Sequence, residues 1–248
     1  MIRDTITDFK GLDHDPDFRW RGKNVTRIEN LSDIAFAVAL GMLITGVDAP
    51  RNVAGLREFL IYTIPTLAGF AVLLGLWNGH YTFFRRYGVA DRKIIALNAA
   101  LIFVVLFMAY PLRFAFDSLF SWIRTLFSGD YSRSYELGIT SFDVAGEIIT
   151  YFSLFYASAF ALFALMQGHV LKKANMLELN AYELAVTKIE RFARWGQCLI
   201  SLLVAALAWF TPLNAIAAVL LSSFGLIYVI ARKRYPAEHL KISDHTII

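Results

Sequence analysis

Polar residues crowd the first 24 positions, Asp4, Asp8, Lys10, Asp13, Asp15, Asp17 and Arg19 among them, with no apolar core of a signal peptide between them. Beyond them the chain alternates long apolar windows with short polar ones. Stretches approaching the roughly 20 mostly apolar residues of a membrane helix run about 30–47, 56–84, 93–116, 144–171, 195–211 and 213–231. The pattern predicts an all-α membrane protein with six transmembrane helices. Thr211-Pro212 alone divides the last two windows, and proline breaks one helix and starts the next, so a tight hairpin is expected there. Residues 117–142 form the longest connection. Leu119, Phe120, Trp122, Ile123, Leu126 and Phe127 within it fit two readings, an amphipathic helix lying at the interface or a plain extension of the third span.

Composition sharpens the choice of solvent. Of 248 residues 57% are hydrophobic and only 18% charged, and the mean hydropathy is +0.52, which argues against a soluble enzyme and against a disordered or nucleic-acid-binding chain. A net charge of +4 is too small to imply a polyanionic partner. Its distribution is more informative. All but five of the 24 Lys and Arg fall in the N-terminal tail, the 2–3 and 4–5 loops and the C-terminal tail; the exceptions are Arg51, Arg57, Arg113, Arg124 and Arg133. The positive-inside rule therefore puts both termini in the cytoplasm, with a tail at 1–24, a six-helix domain at 25–232 and a tail at 233–248. Trp77, Trp122, Trp195 and Trp209 lie near span ends, as interfacial anchors do. Cys198 is the single cysteine, so an intrachain disulfide and a cysteine-rich metal site are both excluded.

Nucleotide-binding glycine loops, HExxH and CxxC are absent, and so is TVGYG, the carbonyl-donor loop of potassium filters. No catalytic residue, metal set or cofactor is expected. The first span holds the informative polar groups: Arg27-Ile28-Glu29-Asn30-Leu31-Ser32-Asp33 precedes a run rich in Ala with Gly41. Ionisable groups at the base of a span are costly unless paired, although Ser32 and Asp33 also read as N-cap residues. Val38, Met42 and Thr45 share a helical stripe, which plain helix packing also produces. His80 near the end of span 2 and Asn98 at the start of span 3 come to the same side as Arg27 and Asp33, so the four are expected to converge. Glu147, Gln167 and His169 in span 4 carry weaker claims.

These residues resemble a family, the potassium channels of the transmembrane protein 175 family. Its first-helix signature is Arg, three residues, then Phe-Ser-Asp, and here Arg27 is followed by Leu31-Ser32-Asp33. Trp77 and His80 match a Trp, two residues, His signature on helix 2; Leu97-Asn98 matches the Leu-Asn pair of helix 3, ahead of an apolar run ending Tyr110-Pro111-Leu112. The likeness in motif covers about residues 24–115 and is that of a single-repeat, bacterial-type member.

The resemblance implies a homotetramer with four copies of helix 1 around a central pore in the bacterial inner membrane. It implies passive passage of potassium or other monovalent cations, weakly selective and open to protons, through a hydrophobic constriction. Val38, Met42 and Thr45 map to the constriction positions, and Gly41 to a pore position where the family usually has Thr. Arg27, Ser32, Asp33, Trp77, His80 and Asn98 map to a polar network that holds helix 1 against helices 2 and 3. The cost of an unpaired buried charge leads separately to the expectation that Asp33 pairs with Arg27 or His80. Val38 and Met42 stand where Ile and Leu are usual, Leu31 replaces Phe, and Gly46-Val47 stand where a Glu often ends the helix. The competing readings are a proton-coupled secondary transporter using Asp33 and His80, and a non-conducting relative.

Overall fold

The computed structural model describes Asp15, residues 17–44 and residues 50–240, and every regular element among them is helical. Helix α1 (Arg27–Ile44) is followed by α2 (Val53–Tyr87), α3 (Arg92–Ser128), the short α4 (Ser132–Glu136), α5 (Phe142–Lys172) and α6 (Ala181–Phe210). A 3-10 helix over Asn214–Ser223 then runs directly into α7 (Phe224–Arg234). The proline after α6 breaks the helix as expected, and at about 2.0 Å per residue the 3-10 stretch supplies extra length for a crossing.

Local chemistry accounts for the helix ends. Asn52, Asp91 and Ser141 cap α2, α3 and α5 with side-chain oxygens on otherwise unpaired amides, and Asn180 with Glu183 forms a capping box on α6. Gly88 ends α2 at φ 60, a left-handed conformation that costs glycine little. A Cβ there would also stand 3.0 Å from the backbone of Arg21 and Gly22, and one on Gly22 would stand 2.3 Å from Phe84 O. The segment before α1 thus lies directly on the end of α2 because both chains are glycine at the crossing.

Five helices among the described residues are long and apolar enough to cross a membrane: α2, α3, α5, α6 and the segment Ile216–Arg234. Helix α1 is different. Arg27, Glu29 and Asp33 occupy its first two turns, more charge than the membrane-length windows of the other helices carry. The core lies where α3 packs against α1, α2 and α5, and α5 against α6, around Leu43, Leu73, Leu101, Val105, Met108, Phe163 and Met166. One of the two readings of 117–142 is selected, and one boundary differs from the sequence expectation. Helix α3 continues unbroken to Ser128, so residues 117–128 extend the third span rather than form a separate interfacial helix. Helix α6 starts at Ala181, well before the apolar window at 195, because the capping box and the apolar face of Tyr182, Val186 and Ile189 carry it through charged sequence.

Candidate functional site

Helix α1 is held to the bundle by a chain of buried hydrogen bonds. Ser32 Oγ gives its one hydrogen to Ile28 O at 2.8 Å, so it accepts from Asn98 Nδ2 at 2.8 Å. That orientation turns Asn98 Oδ1 toward His80, whose Nε2 donates to it at 2.8 Å. Ser32 and Asn98 are fully buried and His80 is 1% exposed, so α1, α2 and α3 are joined where water cannot substitute. The His80 ring lies 4.7 Å from that of Phe84 and 5.7 Å from that of Phe36, which fixes its plane. Asn98→Leu strands the His80 N–H, and an unmet buried donor costs about 1–3 kcal/mol. A lowered melting temperature of detergent-solubilised protein is the expected result.

The other polar residues of this region do not join that chain. Asp33 accepts from Trp77 Nε1 at 2.9 Å, and Trp77 stacks on Tyr81 with Arg85 over the same tyrosine ring at 5.4 Å. The expected pairing of Asp33 with Arg27 or His80 is therefore replaced by an indole contact on the flank of α1. Arg27 is exposed and has no ion pair among the described residues. Ser32 and Asp33 are not caps either. The helix begins five residues before Ser32, where Thr26 Oγ1 accepts from Glu29 N at 3.4 Å, and the Glu29 carboxylate accepts from Thr26 N at 2.9 Å and from its hydroxyl at 2.8 Å. The Thr-x-x-Glu spacing of a capping box was present in the sequence as the missed signal.

A second anchor, not anticipated from sequence, fixes the segment leading into α1. Arg21 grips the buried Glu183 carboxylate through both terminal nitrogens, at 2.9 and 2.6 Å, and donates its Nε to Leu177 O at 2.7 Å. Arg19 N adds a bond to the same carboxylate at 2.9 Å, while the amides of Arg21 and Gly22 bond Arg85 O. Phe18 fills the space beneath, with the Arg86 guanidinium 4.6 Å from its ring centre. Glu147 accepts from Tyr151, and Gln167 donates to Glu190 at 3.0 Å.

Asp91, between α2 and α3, binds His169 Nε2 at 2.7 Å and Lys173 Nζ at 2.5 Å. Burial pushes its carboxyl up, but the bonds from Lys173, His169 and the Ile94 amide outweigh this and hold it well below the usual carboxylate range. Because the folded value is depressed, its stabilisation is complete above the unfolded value near 3.9 and is lost as pH falls below that. The melting temperatures of wild type and Asp91→Asn are expected to differ at pH 7 and to approach each other below pH ~4.

Opposite the buried positions Ser32, Phe36, Ala39 and Leu43, α1 presents a face that nothing in the subunit covers. Leu31, Ile34 and Val38 are 58, 62 and 51% exposed, and a Cβ on Gly41 would meet no atom within 4 Å. Met42 sits at the edge of this face, half-buried against the core. Thr45, Gly46 and Val47 lie outside the described residues.

The family described as endosomal/lysosomal potassium channel TMEM175 matches residues 27–108, the stretch that carries both α1 and its hydrogen-bonded partners. A potassium channel from Marivirga tractuosa is 31% identical over 212 residues, covering 84% of this chain and 85% of that one. A potassium channel of Chamaesiphon minutus is 29% identical over 93 residues, 34% of this chain and 46% of that one. Among solved structures, a variant of the potassium channel MtTMEM175, crystallised with a nanobody fusion protein, superposes with a TM-score of 0.79 at 27% identity, over 90% of this chain and 98% of that one. The crystal structure of a TMEM175 homologue from Chamaesiphon minutus shares the fold at a TM-score of 0.51 and 19% identity, over 84% of this chain and 94% of that one. The family and these relatives are channels, not enzymes. With its membrane-length helices and this extent of similarity, the chain is an integral membrane protein and belongs to the TMEM175 family of potassium channels.

Proposed function

We propose that four copies of the chain assemble with α1 innermost and conduct potassium and other monovalent cations passively along the common axis. The observation that carries this reading is the uncovered face of α1, Leu31-Ile34-Val38-Gly41, on a helix whose base carries Arg27, Glu29 and Asp33 and is costly to face lipid alone. Four such faces meeting on an axis form an apolar ring at Val38 with an open ring at Gly41 beyond it, and Met42 closes the flank. Thr45 continues the same stripe by its spacing. A ring of this kind controls passage by wetting, which discriminates weakly between ions and lets protons follow the water column.

Ser32, Asn98, His80, Asp33 and Trp77 are then the anchors that set the radius of the ring, with Arg27 at its mouth. Residues 25–232 form the channel domain between tails at 1–24 and 233–248. The basic end of the bundle faces the cytoplasm, and the membrane is the bacterial inner membrane. A proton-coupled carrier built on Asp33 and His80 has less support, since the two residues bond different partners, Trp77 and Asn98.

Mass measurement of the complex in nanodiscs, together with valinomycin-independent potassium flux into liposomes, tests the proposal. Four copies and a non-saturating flux are expected. A monomer or dimer, absent flux, or saturable counterflow overturns it.

A further inference from the structure

At the basic end, the ends of α2, α6 and α7 and the segment before α1 enclose a cavity of about 740 Å3 that the pore does not use. Its inner group sets one cation against two carboxylates. Arg86 bonds Glu190 and lies 3.5 Å from Asp15, whose carboxylate also accepts from Tyr182 Oη at 2.9 Å. Three lining groups are different. Asp17, Arg232 and Lys233 have no ion-pair partner among the described residues, and they leave the rim with a single net positive charge.

The mouth of the cavity is also continuous with an apolar surface. Val229 lines it and belongs to a stripe with Leu226 and Ile230, which are 64 and 56% exposed, and Lys233 follows one turn further along α7. The adjacent unpaired cations Arg232 and Lys233 fit a phosphate group, and the stripe fits a hydrocarbon chain. We propose that the cavity binds a monoanionic phospholipid of the adjacent leaflet, with Arg232 and Lys233 on the phosphate oxygens and an acyl chain along Leu226, Val229 and Ile230. Asp17 faces the same space and disfavours headgroups of higher negative charge. A free phosphate ester satisfies the cations and leaves the apolar stripe uncovered, which is why the lipid is the occupant assigned.

Native mass spectrometry of the solubilised protein with dioleoylphosphatidylglycerol, dioleoylphosphatidylcholine or soluble glycerol 3-phosphate tests this directly. Phosphatidylglycerol is expected to be retained at least roughly tenfold better than phosphatidylcholine, with glycerol 3-phosphate not retained. Arg232→Gln combined with Lys233→Gln is expected to abolish that preference. Arg234→Gln is the control, because Arg234 belongs to the same basic run but lies over the Phe192 and Tyr235 rings and does not line the cavity. Val229→Trp, which keeps every charge and narrows the mouth, is expected to lower retention as well. An unchanged preference in the double variant, an equal loss in Arg234→Gln, or retention of glycerol 3-phosphate to the level of the lipid overturns the assignment.

Discussion

Replacing Val38 with Asn raises potassium flux through the reconstituted protein by roughly tenfold to a hundredfold. The estimate follows from the apolar surface that the substitution removes from the constriction. A Val-sized group contributes about 1.5–3 kcal/mol of aversion to water, and each 1.36 kcal/mol off a barrier is about tenfold in rate. Asn offers hydrogen bonds to a water column, so the ring stays wet. Met42→Asn is the companion measurement. Met42 is half-buried against the core rather than on the uncovered face, so its polar replacement is expected to lower yield and melting temperature while flux per folded complex changes less than about twofold. A liposome flux assay that follows potassium moving down an imposed gradient reads both variants. Equal gains from the two place Met42 on the axis instead, and no gain from Val38→Asn removes the hydrophobic ring.

Glu183→Ala is the most destabilising single change expected in the chain. The Glu183 side chain is 1% exposed and that of Arg21 is 12% exposed, so the carboxylate end of the pair is buried and the guanidinium end mostly covered. The carboxylate also takes the amides of Arg19 and Asn180, which means that one residue caps α6 and secures the segment leading into α1. Removing it leaves the mostly covered Arg21 guanidinium beside carbonyls only, and breaking a buried pair from one side costs about 3–5 kcal/mol. Thermal unfolding followed by size-exclusion profile checks this. Arg21→Ala combined with Glu183→Leu is expected to recover part of the loss, because the unpaired charge is then gone.

The two predictions draw on different kinds of information. Val38 was visible in the sequence through its helical spacing and through the resemblance of the Arg27 to Asp33 stretch to a known signature. Glu183 was not, although the Asn180-x-x-Glu183 spacing was there to read as a helix start. What hid it was its partner: Arg21 lies 162 positions away along the chain, and spacing carries no information over that distance. Asp33 shows the opposite error. A carboxylate at the base of a span was expected to find a cation, yet it accepts from an indole 44 positions away because Trp77, not Arg27, comes to its side of the helix.

The sequence by itself determined the solvent, the positions of the apolar helices, the break at Pro212 and the asymmetry of basic charge, since each depends on a local run of residues and the cost of burying it. It also carried the family signature on the first three spans. Tertiary structure alone decided which side of α1 is held and which is left uncovered. Ser32, Asn98 and His80 bond each other only because three helices bring them within 2.8 Å, and that contact turns Val38 and Gly41 outward while leaving Met42 at the edge. A helical stripe read from periodicity has no origin of angle; packing against α2 and α3 supplies it.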